Sequence, residues 1–268
     1  MNPSSKPIRR LSLLLCFSLI FIQLSTVLSV QAVERTSFFE ERDVIFLGDS
    51  TTNSFRHHGV LKDGKNTTRV WCGAQNTLSM WGLASKKIKV TRTMKEELLA
   101  IPDSEAFLSE MSENPAEPGT FLLPIASLLA LRRPACLVIT LGINGCVLME
   151  KEAFAKEYCD LIELVRRTSP TTLVVLNSIF PVREGGKVSN QEIDETNRLI
   201  HEIAKDRGVY FIDTNAALKA ESTPYTEWIG DGDGIHWTKK GCERILDLLA
   251  SLLDVTIPPK IKQPRGEL

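Results

Sequence analysis

Asp43-Val44-Ile45-Phe46-Leu47-Gly48-Asp49-Ser50-Thr51-Thr52 is the stretch on which the fold turns. Four apolar residues in succession, two of them β-branched, predict a buried strand suited to a parallel sheet. Gly48 ends the run, because a backbone without a Cβ can turn tightly there. Ser50 then falls just past the strand's carboxyl end, where open α/β sheets place their ligand sites. A hydroxyl in that position, on a stiff support, is a candidate nucleophile. Gly-Asp-Ser is also an ordinary turn sequence, so the tripeptide alone does not decide between the two.

Asp231-Gly232-Asp233-Gly234-Ile235-His236-Trp237-Thr238 supplies what the serine lacks. An alcohol is a weak nucleophile until a base takes its proton, and the base needs an orienting partner. A carboxylate three residues before an imidazole can reach back to it within one turn of chain, so Asp233 is expected to orient His236. Asp231 is a second, more distant orienter. Ser50, Asp233 and His236 follow the chain order Ser, Asp, His that α/β hydrolytic folds use. His57, His58 and His201 are read as surface or shell residues, and Asp49 as a brace for the Ser50 turn. Trp237 could wall the site; Trp71, Trp81 and Trp228 are read as core.

Between these ends, strands and helices alternate. Strands are expected near residues 70–72, 135–141, 172–176 and 208–213, and helices near 122–131, 151–167, 189–206 and 239–253. Phe154, Tyr158, Leu161, Ile162 and Val165 recur with helical period, and Ser189 with Glu192 spells a capping box. Residues 103–119, acidic and without a period, read as a surface loop. The alternation argues for a mostly parallel sheet covered on both faces, a flavodoxin-like three-layer α/β/α sandwich. Residues 40–255 would form this domain, with 256–268 a loose tail.

Phe46-Leu47-Gly48-Asp49-Ser50, Leu141-Gly142-Ile143-Asn144 and Asp233-Gly234-Ile235-His236 together resemble the SGNH (GDSL-type) hydrolases, particularly exported bacterial SGNH proteins linked to cell-surface carbohydrate. The resemblance implies a serine esterase acting on short, acetyl-type esters of carbohydrate or cell-envelope substrates, with no cofactor. It also implies an oxyanion hole from the Ser50 amide, a glycine N–H and the Asn144 side chain. Gly73 fills the glycine position, with Gly82 as its rival. Gly145 stands where many relatives carry an Asp. Two other readings stay open: a lipase-like or thioesterase-like acylhydrolase or O-acyltransferase, and an inactive envelope protein that only binds carbohydrate.

Residues 1–32 begin with Lys6, Arg9 and Arg10 and continue through an apolar run to Val30-Gln31-Ala32. This pattern reads as a secretory signal peptide, or as a membrane anchor if it is not cleaved. The protein is therefore expected outside the cytoplasm, either secreted, periplasmic or at the cell surface. The formal net charge of −1 gives no footprint for a polyanion, and no nucleic-acid module is recognisable. Cys72, Cys136, Cys146, Cys159 and Cys242 lie beyond the leader, an odd number without zinc spacing. One disulfide among them is compatible with export. Asn66-Thr67-Thr68 is formally a glycosylation sequon.

Overall fold

The computed structural model describes residues 37–230 and 232–257. The leader, Asp231 and nearly all of the proposed tail lie outside the described residues. Strand β1 (Val44–Gly48) is buried along its whole length, as the apolar run requires. It lies in a five-stranded, all-parallel sheet with β2 (Val70–Trp71), β6 (Cys136–Thr140), β7 (Leu173–Asn177) and β8 (Tyr210–Ile212), in the order β2-β1-β6-β7-β8. β1 and β6 run in register from Val44 opposite Cys136 to Gly48 opposite Thr140. That register brings the ends of the two strands, and the loops that follow them, to the same edge.

Alternating side chains divide the core into two halves, as the strand pleat dictates. Ile45, Leu47, Leu137, Ile139, Val174 and Leu176 pack with helices α4 (Ile125–Arg132), α5 (Lys151–Thr168) and α6 (Asn190–Arg207). Val44, Phe46, Val138 and Val175 face the other way, against α1 (Ser50–His57) and α8 (Lys239–Thr256). The result is the expected three-layer sandwich. α5 buries Phe154, Tyr158, Leu161, Ile162 and Val165, the stripe its periodicity marks. The Ser189–Glu192 capping box opens α6, and Gly208, in left-handed geometry, closes it.

A second sheet departs from the sequence reading. β3 (Lys87–Val90), β5 (Phe121–Pro124) and β4 (Ser112–Glu113) form an antiparallel sheet in the order β3-β5-β4. Residues 121–124, where the helix of 122–131 was expected to begin, are therefore strand. The helix starts only after Pro124, whose ring cannot sit inside one. The stretch 103–119 is likewise more ordered than a loop, holding the single turn α3 (Glu105–Leu108) as well as β4. Upstream, α2 (Arg92–Leu99) is capped by Thr91, and α7 (Thr214–Lys219) follows β8. The second sheet joins the first through Lys89, whose N–H donates to the Cys72 carbonyl at 2.8 Å.

Candidate active site

The turn that carries the candidate nucleophile Ser50 is built by contacts that exclude anything larger than glycine at residue 48. A Cβ there would lie 2.0 Å from the Thr52 hydroxyl oxygen and 2.5 Å from the Thr140 carbonyl. Asp49 is buried and caps α1, accepting from the Thr51 N–H at 3.0 Å and the Thr51 hydroxyl at 2.7 Å. Burial raises its carboxyl above the ordinary range, while bonds from Thr51 and from the Ile143 and Gly142 backbone amides oppose the rise. Those last two amides belong to the loop after β6. Asp49 thus ties the Ser50 turn to the block carrying Asn144, a link that depends on folding and not on spacing.

Ser50 itself is half-buried and is the first residue of α1. As the first amide of a helix, its N–H has no intrahelical acceptor. Asn144 is exposed on a run of turns in which Gly145 and Cys146 both donate to the Gly142 carbonyl. Gly142 has φ +126°, and a Cβ there would come within 2.8 Å of Phe154 and 2.9 Å of Ile179. Tyr158 donates to the Leu141 carbonyl at 2.7 Å and anchors the loop's entry. Gly73 is placed differently from a free donor: its N–H goes to the Thr77 carbonyl at 3.1 Å. The rival Gly82 donates to Glu157 at 2.8 Å.

Asp233 and His236 meet as their spacing requires. Asp233 Oδ2 lies 2.5 Å from His236 Nδ1, while its Oδ1 accepts from the Ile235 and His236 amides at 2.9 and 3.0 Å. Partial desolvation pushes the Asp233 carboxyl upward. The two amides and the imidazole outweigh it and hold the group down at about 2. With Nδ1–H directed at a carboxylate, the lone pair of Nε2 is left to accept a proton. No direct hydrogen bond joins His236 to Ser50 among the described residues.

Arg183, which the sequence reading passed over, and His58 grip the loop that carries His236. Arg183 donates its N–H to the Gly234 carbonyl at 2.8 Å, and its guanidinium reaches the Ile229 and Thr226 carbonyls at 2.9 and 3.2 Å. It lies past the end of β7, so the strand-end logic applied to Ser50 would have found it. His58, read as a shell residue, has its Nε2 2.9 Å from the Trp237 carbonyl. It follows α1 directly, so the helix that starts with Ser50 ends on the chain next to His236. Phe55, Phe180 and Trp237 reinforce the link, with ring centroids 6.4 and 6.2 Å apart in succession. Trp237 is buried and serves the core. Trp81, assigned to the core, is instead 45% exposed.

No disulfide joins any two of the described cysteines. Burial pushes Cys72 up to about 12 and Cys146 up to about 11, which leaves both as poor nucleophiles. No group of three or more His, Cys, Asp or Glu side chains among the described residues is arranged to hold a metal ion.

Comparison with known proteins adds the following. No match was found among the curated proteins. A putative acylhydrolase from Bacteroides fragilis is 16% identical with TM-score 0.48, over 80% of this chain and 86% of its own. A carbohydrate esterase family 3 protein from Talaromyces cellulolyticus is 20% identical with TM-score 0.40, over 48% of this chain and 62% of its own. A peptidoglycan O-acetylesterase is 15% identical with TM-score 0.42; the match spans 48% of this chain and only 39% of that protein. Residues 46–244, well over half of the chain and spanning Ser50, Asn144, Asp233 and His236, match the model of the GDSL-like lipase/acylhydrolase family. The chain therefore belongs to the GDSL-like lipase/acylhydrolase family.

Proposed function

We propose that this protein is an exported serine esterase that removes short, acetyl-type acyl groups from carbohydrate or cell-envelope esters. The observation that carries the reading is the Asp233–His236 pair, 2.5 Å apart, in a loop clamped by Arg183 and His58. His236 Nε2 takes the Ser50 proton as the hydroxyl oxygen attacks the ester carbon, and the carbonyl electrons move to oxygen. The Ser50 N–H and the Asn144 side chain donate to that oxyanion, each such donor being worth roughly 3 kcal/mol where removal has been measured. As the tetrahedral adduct collapses, the imidazolium returns the proton to the departing alcohol. Water, deprotonated by the same base, then releases the acid and restores Ser50.

The carbohydrate assignment draws on a cavity whose lining includes Gly145, the chain neighbour of Asn144. It has a volume of about 190 Å³ and is lined by Glu150, Lys151, Glu192 and Glu195 together with Cys146, Met149 and Phe154. Carboxylates and an ammonium around a small space suit a hydroxyl-rich alcohol better than a fatty chain. Export rests on the basic and apolar leader of residues 1–32. Hydrolysis of a p-nitrophenyl ester series by the wild type and Ser50→Ala tests the reading. It predicts fastest turnover of acetate and at least a thousandfold loss in the variant. Equal rates for both proteins, or a preference for octanoate, would contradict it.

A further inference from the structure

A cavity of about 360 Å³ lies between α6 and α7, at the edge strand β8, and the catalytic scheme makes no use of it. That volume is in the range of sites that take small molecules. Asp194, Arg198 and His201 recur at helical spacing, so one face of α6 supplies all three to the lining. Phe211 of β8, Asp213 just past its end and Lys219 of α7 line the cavity as well. The end of β8 is at the same edge of the sheet as the end of β1, three strand spacings or about 14 Å along.

Contacts among the lining residues themselves hold the elements together. Asp194 of α6 and Lys219 of α7 pair at 2.5 Å. The His201 ring stacks on Phe211, with centroids 4.7 Å apart and planes 28° from parallel. Asn197 and Asn215, also in the lining, are buried and grip one peptide. Asn197 accepts from the Ile179 N–H at 2.7 Å and donates to its carbonyl at 3.0 Å, and Asn215 donates to the same carbonyl at 2.9 Å. Asp213 caps α7 by accepting from the Ala216 N–H at 2.9 Å. A lining already paired in this way loses little side-chain freedom when a ligand enters.

The same lining narrows the occupant. Asp194 and Asp213 balance Arg198 and Lys219, so the cavity favours neither a polyanion nor a cation. An acyl chain would desolvate these four groups without offering them a hydrogen bond. Carboxylate oxygens that accept, beside guanidinium and ammonium groups that donate, suit neighbouring hydroxyls, which do both. The stacked His201–Phe211 pair adds ring surface for the C–H face of a pyranose. We infer that this cavity is a binding site for a neutral sugar ring, placed to hold an unesterified unit of the glycan whose ester reaches Ser50. The link to Ser50 rests on the carbohydrate esterase reading; binding of the ring is measured without turnover.

Full-length Ser50→Ala is titrated by calorimetry with xylohexaose, cellohexaose and N-acetylchitohexaose, and with hexagalacturonate and adenosine as anionic and planar comparators. Saturable binding of at least one neutral hexasaccharide, weakened about tenfold when Arg198→Ala or His201→Ala is added, supports the site. Binding of none of the three, binding that neither variant weakens, or tighter binding of hexagalacturonate or adenosine would overturn it. Both side chains are exposed on α6, and urea unfolding checks that each variant keeps the fold. With Ser50 intact, the same variants should lower kcat/KM about fivefold on the acetylated form of the hexasaccharide that binds, and leave p-nitrophenyl acetate within twofold. Equal effects on both esters would refute the placement on the glycan. Should the wild type hydrolyse neither, the esterase reading fails while the calorimetry still decides the site.

Discussion

Replacing Asp233 by Asn removes one charge while sparing most of the loop. An amide oxygen can still accept from the Ile235 and His236 amides, now 2.9 and 3.0 Å from Oδ1. The other carboxylate oxygen, 2.5 Å from His236 Nδ1, becomes an NH₂ that faces an N–H donor. The ring must then turn or change tautomer, and the imidazolium formed in the transition state loses its counter-charge. Two unit charges about 4 Å apart interact by roughly 4 kcal/mol at the effective dielectric of a protein surface. The side chains are 44% and 50% exposed, so solvent screening reduces this to about 2 kcal/mol. That corresponds to a loss of about 30-fold in kcat. It is far less than the ~10⁴ known for a buried triad aspartate. Steady-state hydrolysis of p-nitrophenyl acetate, with urea unfolding as the control for stability, reads the effect. A kcat within twofold of the wild type would refute the orienting role. So would a rise in KM at constant kcat.

Gly142→Ala should destabilise the fold by ~3 kcal/mol, because φ +126° is strained for alanine and the new Cβ meets Phe154 and Ile179; a change below about 1 kcal/mol in urea unfolding would contradict this. His58→Ala removes the contact to the Trp237 carbonyl and should lower kcat roughly fivefold, the equivalent of about 1 kcal/mol, at unchanged KM. His58→Gln, which keeps a donor, should recover part of that loss, and a KM effect without a kcat effect would argue against positioning. The Asp233 carboxyl is held at about 2, below the ~3.9 of an unfolded aspartate, so its stabilising effect is complete above about pH 4 and disappears as pH falls towards 2. The stability gap between the wild type and Asp233→Asn should therefore be constant from pH 7 to pH 5 and close only below about pH 4; closure near pH 6 would refute the assignment.

The elements that could be read from the sequence are those whose signal is local. Val44 to Leu47 are apolar without alternation because both faces of β1 are covered, and the α5 stripe and the Ser189–Glu192 box need only their own neighbours. Asp233 and His236 were legible for the same reason, being three residues apart. β5 was misjudged because Phe121-Leu122-Leu123 runs without a break into a true helix, and an apolar run that short fits either state. Only Pro124 marks the boundary. The short β4 is defined by its pairing with β5, a contact no local pattern records. The place of Arg183 past β7 was a usable signal, but the backbone carbonyls that it and His58 clamp, 43 to 179 residues distant, leave no local trace. Trp81 is the opposite case: a tryptophan is ordinarily assigned to the core, and only the fold shows it at the surface.

Covalent labelling of the full-length protein with a fluorophosphonate, located by peptide mass spectrometry, tests most directly whether the residue 50 hydroxyl is activated by the imidazole of residue 236. The account predicts stoichiometric modification of Ser50 in the wild type and at least a hundredfold slower modification in a stably folded His236→Gln. Labelling elsewhere, or an equal rate at Ser50 in both proteins, would contradict it.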